Sequence, residues 1–184
     1  MRYPETKTLQ EILDRAKDCY NSGLPFVVYR RPNETDVFGV FQSNDELRSS
    51  KDFTEKGFVF APFNDDNQVV LLQPDEVWEG KYQTEKSEAI KDINLDESGK
   101  EVHIELVKKG IQEIETGRLQ KVVLSRKIQV RITKPPFKIL KTLLSKYPNA
   151  FAYFIHHPKV GTWCGATPET LVKVKDKKLK TMSL

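Results

Sequence analysis

Two hydrophobic rhythms alternate along this chain, and the switches fall at polar or breaker residues. From Thr8 to about Asn21, Leu9, Ile12, Leu13, Ala16 and Tyr20 recur at three- and four-residue intervals, which predicts an amphipathic helix. Thr8 with Glu11 forms a capping box at its start, and Gly23 and Pro25 end it. Short apolar runs then predict strands at Phe26 to Arg30, which stops at Pro32, at Phe38 to Phe41, at Gly57 to Pro62 and at Val69 to Leu72. A polar stretch from Ser43 to Lys51 separates the second of these from the third. From Trp78 to Gly99 the pattern dissolves into Glu, Lys, Asp and Ser, which predicts a loop or connector.

The helical rhythm returns from Ser98 to Thr116, where Ile104, Val107, Ile111 and Ile114 share a face. Ser98 with Glu101 is a second capping box, and Gly117 supplies the stop. Lys121 to Ile132 reads as a strand. Thr133, with Pro135 and Pro136 near the first turn, opens a helix carrying Phe137, Ile139, Leu140, Leu143 and Leu144 that ends before Pro148. Strands are predicted at Phe151 to Ile155, Thr162 to Cys164, Thr170 to Val174 and Leu179 to Leu184, the last two forming a hairpin around Lys175 to Lys178. Strands grouped between helices, without strict alternation, predict an α+β fold with a largely antiparallel sheet and packed helices.

Composition narrows the function classes. Ten phenylalanines argue against disorder. The net charge of +4, from 30 basic and 26 acidic side chains, is too balanced to demand a nucleic-acid or membrane partner and suits a small anionic substrate. Cys19 and Cys164 sit in apolar patterns without CxxC spacing, which predicts buried free thiols. No apolar run is long enough to span a membrane, and Met1 leads into Arg2-Tyr3-Pro4-Glu5, so the expected location is the cytoplasm.

Two segments carry candidate chemistry. In Lys121-Val122-Val123-Leu124-Ser125-Arg126 a strand would turn Lys121, Val123 and Ser125 to one face and Val122, Leu124 and Arg126 to the other. Lys121 serves as a general base only where its surroundings disfavour its charge; alone, it better fits a surface lysine whose stem lies along the sheet. In Gly165-Ala166-Thr167-Pro168-Glu169, two small residues permit close approach of backbone or ligand, and Pro168 fixes the path into the next strand. Partial desolvation there would keep the Glu169 carboxyl protonated and fit it as a general acid; alone, it better fits an exposed carboxylate at a strand start.

Together the two segments and their context resemble the chorismate-utilising enzymes, most closely the isochorismate synthases. That family carries a helix ending in glycine, then K-V-V-L-[SA]-R, a helix and a strand, then G-A-[ST]-P-E-x-L, and a strand entering a small-residue loop. Here the pattern reads Gly117 through Arg126, then Gly165-Ala166-Thr167-Pro168-Glu169-Thr170-Leu171, and Lys180-Thr181-Met182-Ser183-Leu184. The resemblance is clear over 98–184, the start of a chorismate-binding region, and 1–97 forms a variable N-terminal α/β region. It implies an incomplete part of the anthranilate synthase component I-like fold, cut short at its C-terminal end. It also implies that Lys121 activates water for attack at C2 of chorismate and that Glu169 protonates the departing C4 hydroxyl, with Gly165 and Ala166 shaping the substrate wall. Lysine at 121 distinguishes hydroxylating members from those that introduce ammonia, which typically carry glutamine there. Salicylate synthases share the lysine and eliminate pyruvate from the same intermediate, so they are the alternative within the family. Isochorismate feeds menaquinone and siderophore synthesis. The resemblance implies a Mg²⁺ cofactor whose glutamate ligands, with the arginine and lysine that hold chorismate's carboxylates, lie beyond Leu184; this chain alone is therefore expected to be inactive.

Other ionisable residues are read without a catalytic role. His156 and His157, as neighbours on a strand, face opposite sides and cannot readily grip one metal; they are read as surface residues, and His103 as packing or solvent-facing. No metal ligand is assigned within 1–184. Of Lys173, Lys175, Lys177, Lys178 and Lys180, the hairpin places several in its turn, where lysine is ordinary, which leaves a basic interaction module as a minor reading. A non-catalytic binding domain that retains the fold is the reading outside enzyme chemistry. Against it, decay gives no reason to keep both Lys121 and Glu169 inside their motifs.

Overall fold

A computed structural model of the chain describes residues 4–52, 54–62, 68–83, 99–132 and 134–182. The chain divides into two compact units, 1–87 with 134–184, and 88–133.

The first unit is built on a six-stranded sheet. Helix α1 (Leu9–Asn21) begins as its capping box requires: Thr8 Oγ1 accepts from the Glu11 amide at 3.2 Å, and the Glu11 carboxylate accepts from the Thr8 amide at 2.8 Å. Its stripe of Ile12, Leu13, Ala16 and Cys19 is buried. The sheet contains β1 (Glu5–Thr6), β2 (Phe26–Arg30), β3 (Asp36–Phe41), β7 (Glu76–Lys81), β8 (Phe151–His157) and β9 (Gly161–Thr167), in the order β1-β7-β3-β2-β8-β9. Every ladder is antiparallel except that of β1 with β7. A smaller sheet, order β4-β6-β5, joins β4 (Arg48–Ser49), β5 (Phe58–Phe60) and β6 (Val70–Leu72).

Strand alternation sends each face of the large sheet into a different apolar layer. Phe26, Val28, Phe41, Ala152 and Phe154 pack with α1 and with Leu140 and Leu144 of helix α3 (Pro136–Lys146). Val27, Val40 and Ile155 pack on Val70 and Leu72 of the small sheet. Phe26 anchors the first layer, its ring 5.9 Å from that of Phe154 and 6.1 Å from that of Phe137. Burying one such side chain contributes about 1.5–3 kcal/mol. The hairpin β10 (Lys173–Lys175) with β11 (Lys178–Lys180) turns at Asp176 and Lys177, both at positive φ.

The second unit holds α2 (Lys100–Glu115) and the segment after it. Ser98 lies outside the described residues, so the first turn of α2 is seen from Gly99 onward. At the other end Gly117, at φ 75°, closes the helix as its sequence position predicts. Gly110 lets the next segment come close: a Cβ there would lie 3.0 Å from Val122 Cγ1 and 3.6 Å from Leu124 Cδ1.

Three expectations are corrected. Residues 121–132 form no strand, although Val122 and Leu124 do turn toward Gly110 while Val123 is 82% exposed. The alternation is there, but a strand needs a hydrogen-bonding neighbour, and none among the described residues pairs with this segment. The predicted loop from Trp78 begins too early, since Trp78 to Lys81 belong to β7; cross-strand pairing with β3 overrides a polar local sequence. The predicted strand from Thr170 starts only at Lys173, which leaves 168–172 as a loop. Thr133, Ser183 and Leu184 lie outside the described residues. No described helix is long and apolar enough to cross a membrane.

Candidate active site

The GATPE segment closes β9 and runs into the loop that follows. In register, Gly165 lies opposite Tyr153, Ala166 opposite Ala152 and Thr167 opposite Phe151. Space is tight at Gly165: a Cβ there would stand 3.0 Å from the Tyr153 hydroxyl and ring, which would have to give way. Burial raises the pKa of that Tyr153 phenol above its ordinary value. Ala166 turns to the other side and packs against the layer beneath α1 and α3. Past Thr167 the chain leaves the sheet, the Glu169 amide facing Thr167 Oγ1 at 3.4 Å. Thr181 Oγ1 donates to the Leu171 carbonyl at 2.6 Å and the Met182 amide to the Thr170 carbonyl at 3.2 Å, which ties this loop to the residues after β11.

Between these parts lies a cleft of about 540 Å³, with Arg31, Asn33, Asn149, Glu169, Lys173 and Lys180 on its walls. Arg31 pairs with Glu34 at 3.7 Å and stacks over Phe38. Asn33 sits at φ 61° in the β2–β3 turn, a backbone state Asn tolerates better than most residues. A cleft of similar size, about 560 Å³, lies beside β1 and β7 and mixes Lys7 and Lys81 with Asp36 and Glu79. It contains none of the motif residues. The Glu169 cleft is therefore the candidate site.

Each sequence-predicted residue has a definite place. Glu169 lines the cleft and is exposed, where a partly desolvated corner was expected. Gly165 and Ala166 stand inside β9 behind Thr167 and Pro168, which themselves line the cleft. Lys121 is an exposed residue of the second unit, at the start of the segment that packs on Gly110. Sequence reasoning missed Arg31, Asn33 and Asn149, whose only signal was placement in polar turns; it placed Lys173 and Lys180 in or beside the hairpin strands, where they lie, but gave them no role at the cleft.

The other candidates are also resolved. His156 and His157 do face opposite sides, but neither is a surface residue. His156 is half-buried against Tyr20, and His157 is 1% exposed. Cys19 is a buried free thiol as expected; Cys164 is free but exposed, because it lies on the outermost described strand of the sheet. Among the described residues no group of three or more His, Cys, Asp or Glu side chains could hold a metal ion, so these residues do not fit a Mg²⁺ site.

Comparison with known proteins identifies the family. The family model for chorismate binding enzymes matches residues 64–184. The anthranilate synthase component 1 of Thermococcus kodakarensis is 32% identical over 84 residues, which is 46% of this chain and 19% of that protein. The chain thus spans about a fifth of the length of the curated relative it matches. No solved structure matches it. With the family match covering most of the chain, including both motifs and the whole Glu169 loop, the protein belongs to the chorismate binding enzymes.

Proposed function

We propose that this chain carries the acid and base of an isochorismate synthase with an anthranilate synthase component I-like fold, which exchanges the C4 hydroxyl of chorismate for a C2 hydroxyl from water. The observation that carries the reading is Lys121 at the head of K-V-V-L-S-R together with Glu169 on a cleft that also presents Arg31, Lys173 and Lys180. Lys121 Nζ takes a proton from water as its oxygen bonds to C2. Both ring double bonds shift, from C1–C2 to C1–C6 and from C5–C6 to C4–C5, the C4–O bond breaks with its electron pair on oxygen, and Glu169 delivers the proton that lets hydroxide leave as water. Atoms balance and nothing is oxidised. Both side chains are exposed, so the desolvation that suits them to these roles comes from the bound substrate displacing water. Mg²⁺ would supply positive charge for the substrate's carboxylates.

A second reading follows from the curated relative, an anthranilate synthase component 1. It requires activation of ammonia, for which the family uses glutamine where this chain has Lys121. Lysine therefore favours water as the nucleophile.

The test is product analysis on the protein at its native length, given chorismate and Mg²⁺. Isochorismate supports the proposal. Salicylate with pyruvate keeps both residues in place and makes the enzyme a salicylate synthase, whereas anthranilate formed with ammonia overturns the choice of nucleophile. Unchanged chorismate with a folded protein leaves a binding domain. Lys121→Gln and Glu169→Gln should each lower turnover by about 10²–10⁴-fold, the usual contribution of a general base or acid. Normal turnover in either variant removes that residue from the mechanism.

A further inference from the structure

The hairpin β10–β11 contains an electrostatic arrangement that folding alone does not favour. Lys173 is the direct cross-strand partner of Lys180, and Lys175 of Lys178. Directly opposed residues share a face, so four ammonium groups stand on one side of a two-stranded ribbon while Val174 and Leu179 occupy the other. Their Cβ atoms are about 5 Å apart in such pairs, and like charges placed so oppose folding. Among the described residues no carboxylate forms an ion pair with any of the four. At the end of the ribbon nearer its base, Lys173 and Lys180 open onto the Glu169 cleft, where Arg31 also lies.

Concentrated cations beside a concave wall raise the local concentration of anions. We propose that the lysine face of this hairpin is the landing surface for a small dicarboxylate: Lys175 and Lys178 draw the anion in, and Lys173 and Lys180, with Arg31, meet it at the cleft before the residues that hold its carboxylates during reaction take over. The proposal rests on the reading that the substrate of the Glu169 cleft is a dianion. It concerns recruitment and orientation, and assigns these lysines no part in proton transfer. Opposed lysines supply several rotatable donors at one point, which suits two carboxylates on a ring better than a single bidentate clamp does.

Succinate, which cannot react, tests the idea on the 184-residue chain. Its dissociation constant is measured by titration calorimetry against acetate, for the unchanged chain and for Lys173→Gln/Lys180→Gln. A control, Lys17→Gln/Lys109→Gln, removes the same charge from exposed helical positions outside the cleft. Succinate should bind more tightly than acetate, and the hairpin variant should lose about tenfold while the control stays within about twofold. Added salt should weaken binding to the unchanged chain more than to the hairpin variant. Because the substitution relieves repulsion, its thermal midpoint should hold or rise, which separates lost binding from lost folding. Equal losses in both variants, or no preference for succinate over acetate, overturn the proposal. Succinate binding that survives in a protein with no activity toward chorismate would keep this surface and discard the proposed reaction; the converse result would do the reverse.

Discussion

Arg30 is a cation in the interior with carbonyls for partners. It is 2% exposed, and its guanidinium donates to the Leu144 carbonyl at 2.7 Å and to the Tyr147 carbonyl at 2.6 Å. Those carbonyls belong to the last turn of α3 and its cap, where backbone acceptors have no helical donor and the helix dipole is negative. Burial lowers the pKa of the guanidinium below its ordinary value and Tyr82, stacked at 5.7 Å, opposes the shift; an arginine keeps its charge regardless. Arg30→Met preserves the apolar stem and orphans both carbonyls. It should lower stability by roughly 2–4 kcal/mol, the loss of two charge-assisted bonds less the relief of an interior charge. The urea midpoint checks this, and an unchanged midpoint would mean water serves those carbonyls equally well. In sequence, Arg30 looked like the polar end of a strand; only the tertiary position of α3 makes it a cap.

At the scale of elements, α1 shows local sequence acting alone. Its capping box and stripe lie within one segment, and both formed as the pattern predicted. Thr8→Ala removes the side-chain oxygen that accepts from the Glu11 amide and should cost about 1 kcal/mol, read as a lower thermal midpoint with α1 amide protons exchanging faster. No change in either would show that Glu11 alone holds the helix start. Elements whose form depends on a distant partner were less legible. β7 looked like the start of a loop until β3 paired with it, and 121–132 looked like a strand although no described strand pairs with it. The site divides the same way. The Glu169 motif is local, and its residues could be named from the chain. Arg31 and Asn149 are far apart in sequence and reach the cleft only because β2 pairs with β8. The lysine ladder needed the hairpin register, which puts the turn at Asp176-Lys177 and returns four lysines to one face.

Across the first unit as a whole, β8 is the strand on which both apolar layers depend, and it carries adjacent histidines into them. His156 lies against Tyr20 at 4.8 Å and Phe26 at 5.8 Å on the helical side, its Nδ1 facing Thr162 Oγ1 at 2.8 Å. His157 turns to the opposite side, where its Nδ1 accepts from the Lys159 amide at 3.1 Å. Desolvation is the main cause that holds both below the ordinary imidazole pKa of 6.5; the charge of His157 adds to it for His156 and that of Lys159 for His157, while the Glu46 backbone and Asp45 oppose it at His157. The unfolded chain therefore binds protons that the folded chain refuses. Stability from these groups is fully present above the unfolded value and is lost as pH falls below about 6.5 toward the lowered folded values. Glu11 and Asp52, whose pKa values are also lowered, contribute losses only below the ordinary carboxylate values of 4.5 and 3.8. The urea midpoint should accordingly hold between about pH 8 and 7 and decline between about pH 6.5 and 5, before those carboxylates titrate. His157→Gln should reduce the slope of that decline whatever it does to the absolute midpoint, since a neutral side chain there has no proton to gain. A midpoint level down to about pH 5 would mean the sheet accommodates both charges, for instance by local opening at β8, and that the two layers do not share a single acid-sensitive strand.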